Sequence, residues 1–335
     1  MSERSLNQLP YSVLDLATVV EGKTIADTFN NSLELAQQAE HLGYTRFWLA
    51  EHHNMISVAS SATAVLIGYI AGGTKHIRVG SGGIMLPNHA PLIVAEQFGT
   101  LETLYPGRID LGLGRAPGSD QLTSLAIRGE RFHLPNNFPK DVQQLLTYFS
   151  EDNCNANVRA IPGEGCDIPI WILGSSLDSA RLAAEMGLPY AFASHFAPAH
   201  FLSAINLYRQ NFKPSVYLKE PYVMACVNMI VADSDQEAER LFTSLQQMFM
   251  GIVTGKRRLL QPPVDNIQGL WNIYEEEAVN QMLAISFIGS PQTVKSQLNS
   301  FTDQTQINEL MVTSHIYDHQ ARLKSFRLLA EIMKS

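Results

Sequence analysis

Two rhythms of apolar and polar positions alternate along the chain. Short, nearly continuous apolar runs occupy residues 11–16, 45–50, 77–79, 109–113, 168–173, 191–193, 222–231 and 309–313. Between them, apolar residues return every three or four positions over residues 25–42, 59–70, 91–104, 140–148, 177–186, 198–211, 234–250, 291–301 and 318–334. The first rhythm is that of strands buried on both faces, the second that of helices laying one stripe on a core. Gly43 closes the helix over 25–42, and Asp233 or Ser234 caps the one over 234–250. Eight strands with helices between them, and no shift of composition to mark a linker, predict one (β/α)8 barrel of the TIM type, a single α/β domain over residues 1–335. The rhythm breaks over residues 118–139 and 251–272, which read as insertions after strands 4 and 7.

A barrel of this kind has the carboxyl ends of its strands on one face. Asp15, Glu51, His52, Gly82, Arg115, Ser175, Ser176, Ser194, His195, Ser314 and His315 are therefore expected around one cavity. The most informative stretch is residues 76–120, a βαβ unit whose two strands both open into glycine. Gly80, Ser81, Gly82 and Gly83 read as a side-chain-free turn with room for a flat ligand or a tight backbone, and Arg115 offers a planar charge suited to a phosphate. A second polar run, from Gly174 through Ser175 and Ser176 to Asp178 and Ser179, joins a strand to a helix. Its free backbone N–H groups and hydroxyls suit an anion; ordinary capping by Ser176 or Asp178 is the alternative.

Glu51, His52 and His53 raise the question of a metal, but neighbours on a strand end point to opposite sides, so such a site would also need His195 or His315. A single histidine acting as general acid or base, or tying loops together by hydrogen bonds, requires less, and no metal is expected. Residues 112–118 approach the dinucleotide fingerprint GxGxxG but carry proline near its end and no helix pattern directly after it.

Composition narrows the partners. A net charge of −8, with no basic run longer than Lys256, Arg257, Arg258, argues against nucleic acid or an anionic membrane. Three cysteines, Cys154, Cys166 and Cys226, lack metal spacing and fit a reducing compartment, and the first 30 residues hold no signal-peptide pattern, so a cytoplasmic protein is expected. The helix over 59–70 is small or apolar nearly all round, and that over 91–104 carries apolar residues beyond one stripe, which suggests a subunit contact.

The segments over 48–54 (WLAEHHN), 79–118, 172–196 and 288–294 (IGSPQTV) resemble, in order and over nearly the whole chain, the bacterial luciferase-like flavin monooxygenases, above all the non-luminescent, group 1 type oxidoreductases. The resemblance implies a barrel that binds FMN at its carboxyl face without a covalent link. It implies a non-prolyl cis peptide at Gly82 and Gly83 against the flavin ring, a phosphate site at Arg115, Ser175, Ser176 and Ser179, and His52 as catalytic acid or base. The activity it implies is oxygenation of a small organic substrate by O2 and FMNH2 through a flavin C4a-hydroperoxide. A separate flavin reductase would supply the FMNH2, and a homodimer would pair the helices over 59–70 and 91–104. An F420-dependent hydride-transfer enzyme on the same barrel, or a flavin-binding protein without catalysis, are the alternatives. Gly114, Ser175 and Ser194 stand where luciferase has cysteine, glutamate and an aromatic residue, so light emission and a long-chain aldehyde are not expected. His195 and residues 118–139 are expected to shape the substrate site.

Overall fold

The computed structural model describes residues 6–116, 118, 120–133 and 137–335. Its strands are β1 (Tyr11–Asp15), β2 (Arg46–Leu49), β3 (Arg78–Met85), β4 (Ile109–Gly114), β5 (Ile170–Gly174), β6 (Tyr190–Phe192), β7 (Val223–Val231), β8 (Ser286–Gly289) and β9 (Glu309–Thr313). Eight of them close in the order β1-β2-β3-β4-β5-β6-β7-β9, every pairing parallel, into the barrel that the sequence predicts. Helices α1 (Ile25–Leu42), α2 (Thr63–Gly72), α3 (Pro91–Leu104), α4 (Gln121–Arg128), α5 (Phe138–Phe149), α6 (Leu177–Met186), α7 (Phe201–Asn211), α8 (Asp235–Val253), α9 (Ile273–Met282), α10 (Pro291–Thr305) and α11 (His319–Lys334) lie between and after them. None of the described helices is long and apolar enough to cross a membrane.

Local chemistry sets the element ends. Thr24 and Asp27 form a capping box on α1, and Gly43 ends that helix at φ 84°, a left-handed conformation that costs glycine nothing. Strand residues are apolar on both faces because both are covered. Val13, Phe47, Val79, Leu111, Ile172 and Val312 pack outward against helix residues such as Leu35, Ile67, Phe98 and Ala180. Leu14, Trp48, Ala50, Trp171, Ala191, Met224, Cys226 and Met311 fill the inside.

Three departures from the sequence expectation have physical reasons. Gly80–Gly83 are not a turn: β3 continues to Met85 through a register shift between Ser81 and Ile84, so the run is a bulged strand. A Cβ on Gly83 would lie 2.7 Å from the Gly112 carbonyl oxygen, so the glycines permit β3 and β4 to approach backbone to backbone. The insertion over 118–139 contains α4, capped by Asp120, while residues 117, 119 and 134–136 lie outside the described residues. After the second insertion come α9 and β8, both too short and polar for periodicity to show. Strand β8 pairs with Asn228–Val231 of β7, beyond the point where β7 pairs with β6.

The amino-terminal floor of the barrel is a buried charge network. Arg46 donates to Asp110 at 2.8 Å and to Glu309 at 2.9 Å, and Arg78 donates to Asp110 at 2.9 Å through Nε. Trp48 Nε1 adds a bond to Asp110 at 3.0 Å, and Ser12 and Tyr222 donate to Glu309 at 2.5 and 2.9 Å. Burial works against the Arg46 cation, but the two carboxylates raise its pKa further.

Candidate active site

Strand alternation decides which side chains reach the barrel mouth. Trp48 and Ala50 belong to the inner cluster, so two residues further His52 is carried inward, while Glu51 and His53 turn the other way. The same count takes β5 from Trp171 through Leu173 to Ser175, β7 from Met224 and Cys226 to Asn228, and β9 from Met311 to Thr313, while His195 lies in the turn after β6, its carbonyl held by Asn228. The mouth therefore carries His52, Ser175, His195, Asn228 and Thr313 on separate strand ends, with the Gly82–Gly83 bulge between them.

His52 is half-buried, and its Nδ1 lies 3.4 Å from the carbonyl oxygen of Gly118. Its backbone N–H donates to Ser60 at 3.0 Å. Burial lowers its pKa; Arg257 and His53 push the same way, opposed by the Gly118 carbonyl and Glu51. The imidazole is thus neutral at pH 7, able to take a proton and return it.

Behind His52, Glu51 is a buried clasp. Its carboxylate accepts from His53 Nε2 at 2.8 Å, His89 Nε2 at 2.9 Å and the Met85 backbone N–H at 2.9 Å. Burial, the largest single influence, would raise its pKa, but the bonds from His53, His89 and the Met85 N–H together outweigh it and hold it at about 2. The two imidazoles donate to one carboxylate; among the described residues no group of three or more His, Cys, Asp or Glu is placed to hold a metal ion. Glu51 thereby ties the end of β2 to the exit of the β3 bulge, which fixes the position of His52 relative to Gly82–Gly83.

That bulge contains a cis peptide between Gly82 and Gly83. Gly82 faces Leu14 and Trp48 and Gly83 faces β4 and Leu173, leaving a side-chain-free edge above the inner core. Across β4, Arg115 is exposed, and its single ion pair within the described residues is a 3.5 Å contact with Asp178. The start of α6 lies alongside. Ser176 is its N-cap and accepts from the Ser179 N–H at 3.3 Å. The Ser179 hydroxyl donates to the Ser176 carbonyl at 2.7 Å and meets the Tyr190 hydroxyl at 3.0 Å, so it secures the strand-to-helix turn, while Ser175 and Ser176 are half-buried at the rim. A phosphate fits here: an exposed guanidinium held only by a long contact with Asp178, a helix start with unspent N–H groups and two hydroxyls stand beside a flat, side-chain-free edge.

The remaining mouth residues divide. His315 is tied on both nitrogens, to Thr18 at 3.1 Å and Thr313 at 3.2 Å, and Asp15 is locked to Arg322 at 2.8 Å; both hold the β1 and β9 ends together. Ser194 donates to the Cys226 carbonyl at 2.5 Å. Sequence reasoning missed Asn228, His89 and the approach of Arg257. Asn228 sits inside an apolar run and looks like an interruption of it. The basic segment is brought in by backbone pairing: Val20 pairs with Leu260, and Val19 receives Leu260 N–H at 3.0 Å.

The family model described as "Luciferase-like monooxygenase" matches residues 10–305. A luciferase-like monooxygenase of Escherichia coli strain K12 is 52% identical over 97% of this chain and 97% of its own. The solved structure of apo-MsnO8 is 37% identical, covers 97% of this chain and 98% of that one, and superposes with a TM-score of 0.86. The oxygenating constituent of 3,6-diketocamphane monooxygenase from Pseudomonas putida, a type II Baeyer-Villiger enzyme solved with FMN, shares the fold at 18% identity, with a TM-score of 0.73 over 97% of this chain and 98% of that one. The chain belongs to the luciferase-like monooxygenase family.

Proposed function

We propose that the protein is a flavin-dependent monooxygenase that takes up reduced FMN from a separate reductase and uses O2 to oxygenate a small organic substrate. The observation that carries this reading is the convergence on one barrel mouth of Arg115 and the start of α6, the Gly82–Gly83 edge and the half-buried His52. Reduced FMN held there would supply the two electrons for O2 activation. Arg115, Ser175 and Ser176 would hold its phosphate, with Ser179 keeping the turn in shape, and Gly82 and Gly83 would let its ring lie close to the backbone. His52 would hold and return a proton beside it. Gly118, whose carbonyl lies 3.4 Å from His52 Nδ1, would help to cover the mouth and limit water. The 18%-identical relative solved with FMN is consistent with that cofactor.

Anaerobic titration of wild-type protein and Arg115→Ala with FMNH2, FMN and F420 tests this. Tight binding of FMNH2, weakened about 10- to 100-fold by loss of one charge-assisted contact, is expected. Preference for F420 would replace the oxygenation reading with hydride transfer, and an Arg115→Ala variant that binds FMNH2 as the wild type does would remove the phosphate site.

A homodimer belongs to the same reading. Val65 and Tyr69 on α2, with Ile93 and Leu104 on α3, are 71%, 42%, 46% and 62% exposed. Light scattering at micromolar concentration is expected to give the mass of two chains; a mass of one refutes the contact.

A further inference from the structure

Asn228 is 1% exposed at an inward position of β7, and its amide orientation is fixed by its neighbours. The Ser286 hydroxyl donates its proton to the Leu283 carbonyl at 2.7 Å, so toward Asn228 it can only accept, and it does so from Nδ2 at 3.2 Å. The second Nδ2 proton goes to the His195 carbonyl at 2.7 Å. Both amide protons are spent, so Oδ1 is an acceptor, and it is buried without a partner among the described residues. His195, whose carbonyl Asn228 engages, has an Nδ1 that is likewise buried and without a partner among the described residues. Burial, with His315 and His52 nearby and against a bond to the Cys226 carbonyl, pushes the pKa of His195 down to about 3, so the ring is neutral; since Nδ1 has no partner, the N–H that meets Cys226 is on Nε2 and Nδ1 carries the lone pair. His315 offers nothing in competition, since both its nitrogens are engaged by Thr18 and Thr313.

We infer that the corner formed by Asn228 and His195 is a substrate subsite for a hydrogen-bond donor, an amide or amine N–H or a hydroxyl, carried on the molecule to be oxygenated. Two buried acceptors on adjoining strand ends are costly when unmet, and a group that brings a proton recovers that cost. An ether, ester or tertiary amide of the same shape brings only lone pairs and meets two more. Discrimination therefore follows from mismatch, as when a site built to bond an N–H or O–H rejects the analogue lacking it. This subsite deepens the monooxygenase reading and rests on the barrel mouth being the reaction site. It uses none of the groups assigned to the flavin phosphate.

The test needs no flavin. Methyl-labelled full-length protein is titrated with N-methylacetamide, which has one N–H, and with N,N-dimethylacetamide, which has none, following the Met224 and Met311 methyl signals. N-methylacetamide is expected to bind at least about tenfold more tightly in wild type, with the ratio falling to near one in His195→Phe and in Asn228→Leu. Equal binding of the two amides, or shifts from neither, overturns the subsite and leaves a corner satisfied by ordered water only. If the amides are discriminated while FMNH2 fails to bind, the donor subsite stands and the cofactor reading falls; the reverse result rejects the subsite alone. His195→Phe retains a ring of similar size, so loss of discrimination in a variant with unchanged melting behaviour reports on the lone pair.

Discussion

Asp110→Ala is expected to cost about 3–5 kcal/mol of stability, the largest loss from any single truncation on the barrel floor. The carboxylate accepts from Arg46, Arg78 and Trp48, at 2.8, 2.9 and 3.0 Å, and is fully buried. Its removal leaves Arg46 with only Glu309 for a counter-ion, Arg78 with the Gly107 and Ile109 carbonyls, and the Trp48 indole N–H without an acceptor. Arg46 and Trp48 are left as buried donors with a bond unmet, while Arg78, which is 26% exposed, recovers part of its loss from water. Asp110→Asn, which keeps one acceptor for Trp48, should fall between wild type and alanine. Urea unfolding at pH 7 measures the difference through the midpoint at constant slope. A loss below about 1 kcal/mol for the alanine variant would show that the network balances its own desolvation and contributes nothing net. Flavin affinity of the folded variant should be unchanged, since the floor lies at the opposite end of the strands from Arg115 and His52.

The barrel was legible because its signal is repeated. Each strand is apolar on both faces and most helices on one, so eight weak signals agree on a parallel sheet covered by helices. What failed to show was local and non-periodic. The apolar pattern ends β3 at Val79 because glycine carries no hydrophobic signal, although Gly80 to Gly83 continue the strand by close backbone approach to β4. α9 and β8 give no periodic signal because one is a polar surface helix with Val279 as its buried residue, and the other has four residues.

The mouth was half legible for the same reason. His52 and Arg115 stand beside recognisable strand ends, and alternation allows at most one of the two adjacent histidines to face inward, the choice of His52 resting on the family resemblance. The Glu51 clasp could not be read, because His89 lies 38 positions away from Glu51 and meets it only after β3 has folded between them. Nor could Arg257, which depends on the pairing of Leu260 with Val20. Contacts made by side chains distant in sequence leave no period to detect.

His52→Gln is expected to lower the rate of substrate oxygenation by about 10²–10⁴-fold, the range for loss of a positioned acid or base, while FMNH2 affinity stays within about threefold. The separation follows from position: Arg115 and the start of α6 would carry the phosphate, and His52 stands on a different strand end with its ring toward the mouth. The pH profile gives the more specific readout. Burial holds the His52 pKa below its ordinary value of 6.5, and the Arg257 charge adds to the effect. Over the neutral range the ring is therefore uncharged, and the wild-type rate should fall only as pH drops through a value below 6.5. The same depressed pKa means that the folded state loses stability as pH falls below 6.5, so rate and unfolding must be followed together. Glutamine keeps a polar side chain of similar reach but cannot titrate, so the acid limb should disappear from His52→Gln while the unfolding midpoint at pH 7 is nearly unchanged. Arg257→Ala should move the wild-type limb upward, because it removes a cation that opposes protonation of the ring. A wild-type acid limb that persists unchanged in His52→Gln would assign the titrating group elsewhere and withdraw His52 from the chemistry.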